Sequence, residues 1–125
     1  MKSNLLIYGL MLFLFSCKQT IPSQLSVDRR VDFGTIYLGD VYRKAFILSN
    51  QTQDTIFIDK ITHSCECIQV LNKNEIKCIF PKSKDSLIVL LTPQEHGYIC
   101  RGVTIFLRDK QEPIDLIIEG YVEAK

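Results

Sequence analysis

The feature that most constrains the fold is a recurrence. Short runs rich in Val, Ile, Leu, Thr, Phe and Tyr are closed, every eight to twelve residues or so, by polar clusters that favour turns. The runs are "VDFGTIYLG", "VYRKAFILSN", "TIFIDKITHSC", "CIQVLN", "EIKCIF", "SLIVLLTP", "YICRGVTIFLRD" and "IDLIIEGYVE". In "VYRKAFILSN", Phe46 and Leu48 fall on one face and Ala45 and Ile47 on the other, the period-two pattern of a strand. "EIKCIF" sets Ile76, Cys78 and Phe80 against Glu75 and Lys77. "SLIVLLTP" is continuously apolar, which predicts burial on both faces. No segment carries a helical period with caps. Pro81, Pro93 and Pro113 stand at segment edges, where a missing N–H removes no ladder bond. Gly34 and Gly39 bracket "TIYL" and predict sharp turns or bulges there. The fold class that follows is all-β, a sandwich of about seven or eight mostly antiparallel strands in two packed sheets. The first and last strands are expected at its edges, blunted by the charges of "DRR" and "EAK".

The start of the chain says where such a sandwich would reside. Lys2 precedes an apolar run from Leu5 to Phe15, and Ser16 stands before Cys17. A basic residue, a short apolar stretch and a small residue at the cut are the marks of a secretory signal peptide. The run falls well short of the roughly twenty residues a spanning helix needs. Leu14-Phe15-Ser16-Cys17 resembles the lipobox of bacterial lipoproteins, which implies cleavage before Cys17 and acylation of that residue. Two or more acyl chains make a stable anchor without a transmembrane helix. Lys18 stands where enteric lipoproteins retained at the inner membrane carry aspartate, so the resemblance implies an outer-membrane location facing the periplasm. The expected organisation is a leader over 1–16, a lipidated tether over 17–28 containing Pro22, and one domain over 29–125.

Charge narrows the partners. The chain has a formal net charge of +1. Its basic residues read as isolated pairs such as Arg29-Arg30 and Lys82 with Lys84, with no stripe to follow a phosphate backbone. Nucleic acid is therefore not an expected partner; the membrane, through the anchor, and another envelope protein are. Neither a nucleophile elbow, a phosphate loop nor a metalloprotease helix can be quoted, so no enzyme and no cofactor are expected. Asn50-Gln51-Thr52 reads as a polar hairpin turn, and Asp109, Glu112 and Asp115 as solvated loop charges.

The body of the chain resembles a group of secreted bacterial proteins, the domain of unknown function 1573. The residues that carry the likeness are Asp32-Phe33-Gly34 followed by an isoleucine and a glycine, Phe46-x-Leu48-x-Asn50, and Ser64-Cys65-x-Cys67. The resemblance implies an Ig-like sandwich related to the major-sperm-protein and PapD-like group, and implies no activity. Glu66 and Ile68 replace the glycine and threonine usual beside the cysteines, and Cys78 and Cys100 lie outside the shared pattern.

With Cys17 assigned to lipid, Cys65, Cys67, Cys78 and Cys100 remain as disulfide candidates in an oxidising compartment. If "THSCECIQV" is one strand, His63, Cys65 and Cys67 share a face, and residues two apart lie about 6.6 Å apart at Cα. That is the upper limit for a bridge, so a Cys65–Cys67 disulfide needs a bend, whereas cross-strand pairing with Cys78 and Cys100 is geometrically comfortable. Two alternatives stay open. His63, Cys65 and Cys67, with Cys100 or His96, offer soft ligands for copper or zinc. The Cys-x-Cys pair could also exchange disulfides, although Glu66 raises a neighbouring thiol's pKa and no helix follows to lower it.

Overall fold

The computed structural model describes residues 25–108 and 112–125, which form nine strands in two sheets. The leader over 1–16, Cys17 and the rest of the tether up to residue 24 lie outside the described residues, as does Asp109. The strands are β1 (Leu25–Ser26), β2 (Arg30–Tyr37), β3 (Tyr42–Asn50), β4 (Ile56–His63), β5 (Ile68–Val70), β6 (Cys78–Ile79), β7 (Lys84–Leu91), β8 (Gly97–Leu107) and β9 (Ile114–Glu123). One sheet has the order β1-β3-β7-β5 and the other β2-β9-β8-β4-β6. Eight of the nine coincide with the eight apolar runs; the ninth, β1, lies inside the stretch expected to be tether. Leu25 pairs with Asn50 and is buried, so the folded domain reaches upstream of Arg29 at least to Leu25.

The alternation in the sequence becomes the core. Phe46 and Leu48 of β3, Leu87, Val89 and Leu91 of β7, Val103 and Ile105 of β8, and Ile114, Leu116 and Ile118 of β9 all point between the sheets and are buried. Each such side chain contributes roughly 1.5–3 kcal/mol relative to exposure. β7 is buried fully on this face only, because Ser86, Ile88 and Leu90 on its outer face stay partly exposed. The expected burial on both faces is corrected: among the described residues no further layer covers that face of β7. The alternation expected in "EIKCIF" also breaks, since Ile76 and Ile79 are buried while Phe80 is 64% exposed. Only Cys78–Ile79 is strand here, after a turn over 71–75 closed by Glu75 N and Ile76 N donating to the Asn72 carbonyl, so one alternation does not run through the segment.

β2 runs parallel to β9, with Arg30 opposite Ile117 and Tyr37 opposite Glu123. The register shifts between Asp32 and Thr35, where Gly34 takes φ 70° and its N–H donates to Asp32 Oδ1 at 2.8 Å. Only a residue without Cβ adopts this backbone at no steric cost, which accounts for the glycine in "DFG". The pairing also places the last strand, β9, in the interior of its sheet; β2 is the edge.

Asn50 is the buried polar side chain of the described core. Its amide donates to the carbonyls of Asp54 and Ile79, both at 2.8 Å, and its Oδ1 accepts from Thr52 N at 2.9 Å and Thr52 Oγ1 at 2.7 Å. The hairpin expected at Asn50-Gln51-Thr52 is corrected: β3 and β4 lie in different sheets, and this one side chain fastens the turn that crosses between them to the two-residue strand β6.

Candidate functional site

Two places stand out, one at each end of β4. The first is the turn that leaves it. β4 ends at His63, paired with Val103, and the chain then crosses from the five-stranded sheet to β5 in the four-stranded one. Ser64 holds the departure point twice: its N–H donates to the Gly102 carbonyl at 3.0 Å and its hydroxyl accepts from Gly102 N at 2.9 Å. Cys65, Glu66 and Cys67 make the turn, closed by Ile68 N donating to the Cys65 carbonyl at 3.2 Å. Thr92 N donates to the Cys67 carbonyl at 2.8 Å and secures the far side. His63 Nδ1 lies 2.8 Å from the Cys65 carbonyl, an arrangement that places the proton on Nδ1.

Cys65 and Cys67 form a disulfide, with 5.2 Å between their Cα atoms. No single strand runs through "THSCECIQV": β4 ends at His63 and β5 begins at Ile68, and the bend between them brings the two Cα atoms well within bridging range. Cys78 and Cys100 are free. Cross-strand pairing between them is excluded by register. Cys78 sits opposite Phe57, whose carbonyl accepts from Arg108, while Cys100 lies eight residues back along β8 opposite Glu119. Eight strand residues span about 26 Å, several times the reach of a disulfide. The metal reading on His63, Cys65 and Cys67 meets an obstacle of its own, because both sulfurs are spent on each other. Among the described residues no group of three or more His, Cys, Asp or Glu side chains converges, and neither His96 nor Cys100 joins His63.

A bridge across three residues restrains the unfolded chain little. On the loop-entropy account it stabilises by roughly 1.6 kcal/mol, against about 4.7 for a hundred-residue loop. Its surroundings are more distinctive than its contribution to stability. Cys67 is buried and Cys65 partly exposed. The Cys67 N–H donates to Cys65 Sγ at 2.9 Å. A cavity of about 40 Å³ beside them is shared by both cysteines, Pro93, Gln94, Glu95, Ile99 and Arg101. Arg101 keeps most of its side chain covered, and its guanidinium lies 3.7 Å from the exposed Glu95 carboxylate.

The second place is where β4 begins. β6 pairs with it only at Ile56–Ile79 and Phe57–Cys78, with one further bond from Ile58 N to the Lys77 carbonyl. Beyond Ile58, no described strand pairs with the outer side of β4. A cleft of about 730 Å³ opens there, and Lys60, Lys73, Lys77 and Arg108 line it against one acidic residue, Asp59. Two of the cations lie on aromatic faces: Lys60 Nζ is 4.8 Å from the Phe106 ring centre and Arg108 Cζ 4.5 Å from that of Phe57. These contacts hold the charges up along the strand. This cluster was invisible in the sequence, because its members come from three separate segments and only the pairing of β4 with β6 and β8 assembles them.

Cys100 occupies a different surface, the outer face of the five-stranded sheet. It is exposed, opposite Glu119, the carboxylate that also pairs with Arg30. A hydrogen bond from Tyr98 to Glu119, aided by some burial and by the carboxylate's charge, raises the phenol's pKa above its usual value.

With this geometry in hand, residues 25–122 match the family described as "Protein of unknown function (DUF1573)". The chain belongs to that family. No curated protein matches it. Among solved structures, the secreted serine protease VesC from Vibrio cholerae superposes with a TM-score of 0.67 at 12% identity, over 78% of this chain but only 23% of that one. The ASH/PapD-like domain of human CEP192 gives 0.66 at 9% identity, covering 89% of this chain and 94% of that domain. A major-sperm-protein family member from Caenorhabditis elegans gives 0.53 at 12% identity, covering 82% of this chain and all of the other. At these identities the likeness is one of fold, and it agrees with the Ig-like, PapD-like sandwich that the family resemblance implied. The DUF1573 domain here spans less than a quarter of VesC, whose protease activity is a property of that protein.

Proposed function

We propose that this DUF1573 protein is a lipid-anchored, non-catalytic binding module of the cell envelope, tethered through Cys17 and facing the periplasm. Its site is the cationic cleft along β4, and its partner is an extended, acidic segment of another envelope protein. The observation that carries the reading is the outer side of β4 from Asp59 to His63, where no described strand pairs, next to the cleft lined by Lys60, Lys73, Lys77 and Arg108. An unpaired strand edge presents a row of N–H and C=O groups, which an incoming strand satisfies by β-augmentation. Main-chain bonds supply affinity for any extended segment, and the excess of cations selects an acidic one. The leader and the lipobox-like Leu14-Phe15-Ser16-Cys17 support the envelope location.

The test is a fluorescent peptide of alternating Glu and Val, about eight residues long, titrated into the purified protein. Binding is expected to weaken as salt rises and to be lost in the Lys73→Glu/Lys77→Glu variant. A single-stranded oligonucleotide of matched charge is expected not to compete. Equal affinity for the charge-reversed variant, or for a Lys/Val peptide, removes the cleft from the reading. Mass spectrometry of the membrane-extracted protein tests the anchor separately: the expected mature form starts at acylated Cys17, and an intact leader contradicts it.

A further inference from the structure

The turn at the other end of β4 carries chemistry that a binding module does not need. We propose that the Cys65–Cys67 bridge is a redox-active disulfide that exchanges with substrate dithiols, with Cys65 as the sulfur that forms the mixed disulfide.

Access and charge assign the roles in the same way. Cys65 is partly exposed and Cys67 is buried, so an incoming sulfur reaches Cys65 first. The Cys67 N–H already donates to Cys65 Sγ, and Arg101 lines the same cavity as both sulfurs. An amide donor and a guanidinium favour negative charge on Cys65, which a sulfur needs when it acts as nucleophile or leaving group. Two carboxylates oppose this cation, Glu95 across the cavity mouth and Glu66 in the turn itself, but both are exposed to solvent that screens them, while Arg101 is mostly covered. Opening the bridge breaks no other tie in the turn. Ser64 remains bonded to Gly102, Ile68 to the Cys65 carbonyl and Thr92 to the Cys67 carbonyl.

A substrate thiolate attacks Cys65 Sγ; a substrate–Cys65 bond forms, the Cys65–Cys67 bond breaks, and the electron pair leaves on Cys67, which takes up a proton. The substrate's second thiol, as thiolate, then attacks its own sulfur in the mixed disulfide. A disulfide forms within the substrate, and Cys65 departs as thiolate beside the Cys67 amide and Arg101. Two electrons pass from the substrate dithiol to the bridge; the reverse sequence reduces a substrate disulfide.

The experiment uses the full chain with Cys78→Ser and Cys100→Ser, equilibrated in buffers of varied glutathione to glutathione-disulfide ratio. Acid quenching, alkylation and peptide mass mapping then separate Cys65 and Cys67 from Cys17. The bridge is expected to open and re-form reversibly while the near-ultraviolet circular dichroism stays native. With Cys67→Ser added, glutathione disulfide should modify Cys65. With Cys65→Ser instead, Cys67 should react at least tenfold more slowly, and the difference should vanish in denaturant. Arg101→Gln should slow the Cys65 reaction several-fold at an unchanged melting temperature. The equilibrium titration needs no change at Cys65 or Cys67, so it decides the matter even where a cysteine variant misfolds. Reduction that occurs only as the native spectrum is lost, or equal reactivity of the two sulfurs in the folded state, overturns the proposal.

Discussion

The two ends of β4 solve different problems. At its start the neighbouring strand is only two residues long, so β6 stops early and leaves a charged edge that no other described strand covers. At its end the chain must abandon one sheet for the other, and it does so in a three-residue turn fixed by backbone bonds, a serine hydroxyl and a disulfide. The cleft is about 730 Å³ and the cavity at the turn about 40 Å³. The contrast teaches that one strand can present a surface suited to a macromolecule and, some seven residues further on, a site with room for little more than a sulfur atom.

If the two ends are independent, some changes should affect both and others only one. The largest effect is expected from Ile58→Ala, which removes a buried anchor between them; it should cost about 2–5 kcal/mol and weaken both the cleft and the turn, seen in a denaturant midpoint. Asn50→Ala should cost about 1–3 kcal/mol, because the buried Ile79 carbonyl loses its donor. It should loosen β6 and reduce peptide binding at the cleft while leaving the equilibrium of the Cys65–Cys67 bridge unchanged. Replacing Cys65 and Cys67 together by serine should cost roughly 1.6 kcal/mol and leave peptide affinity as it was. Lys73→Glu with Lys77→Glu should move stability by about 0.5 kcal/mol or less, yet abolish binding of an acidic peptide. A cross-effect in either of the last two variants would show that the ends are coupled.

The strands were legible because alternation and turn residues act locally. Phe46 and Leu48 declare a buried face without reference to anything distant, and Gly34 a bulge. β1 escaped because two residues, Leu25 and Ser26, are too few to establish a period. The parallel pairing of β2 with β9 escaped because nothing in either run names its neighbour. The cysteine turn was half legible. The need for a bend between Cys65 and Cys67 followed from strand geometry, but alternation across "THSCECIQV" concealed that the bend exists. The cleft was not legible at all, since Lys60, Lys73, Lys77 and Arg108 are isolated charges until the register of β4, β6 and β8 gathers them.

The most direct measurement is amide hydrogen exchange along β4, with and without the alternating Glu/Val peptide. An added strand should slow exchange at alternate amides between Asp59 and His63, on the side away from β8, and leave β2, at the sheet's other edge, unchanged. Bound peptide with no new protection in that stretch, or with protection on β2 instead, contradicts the account.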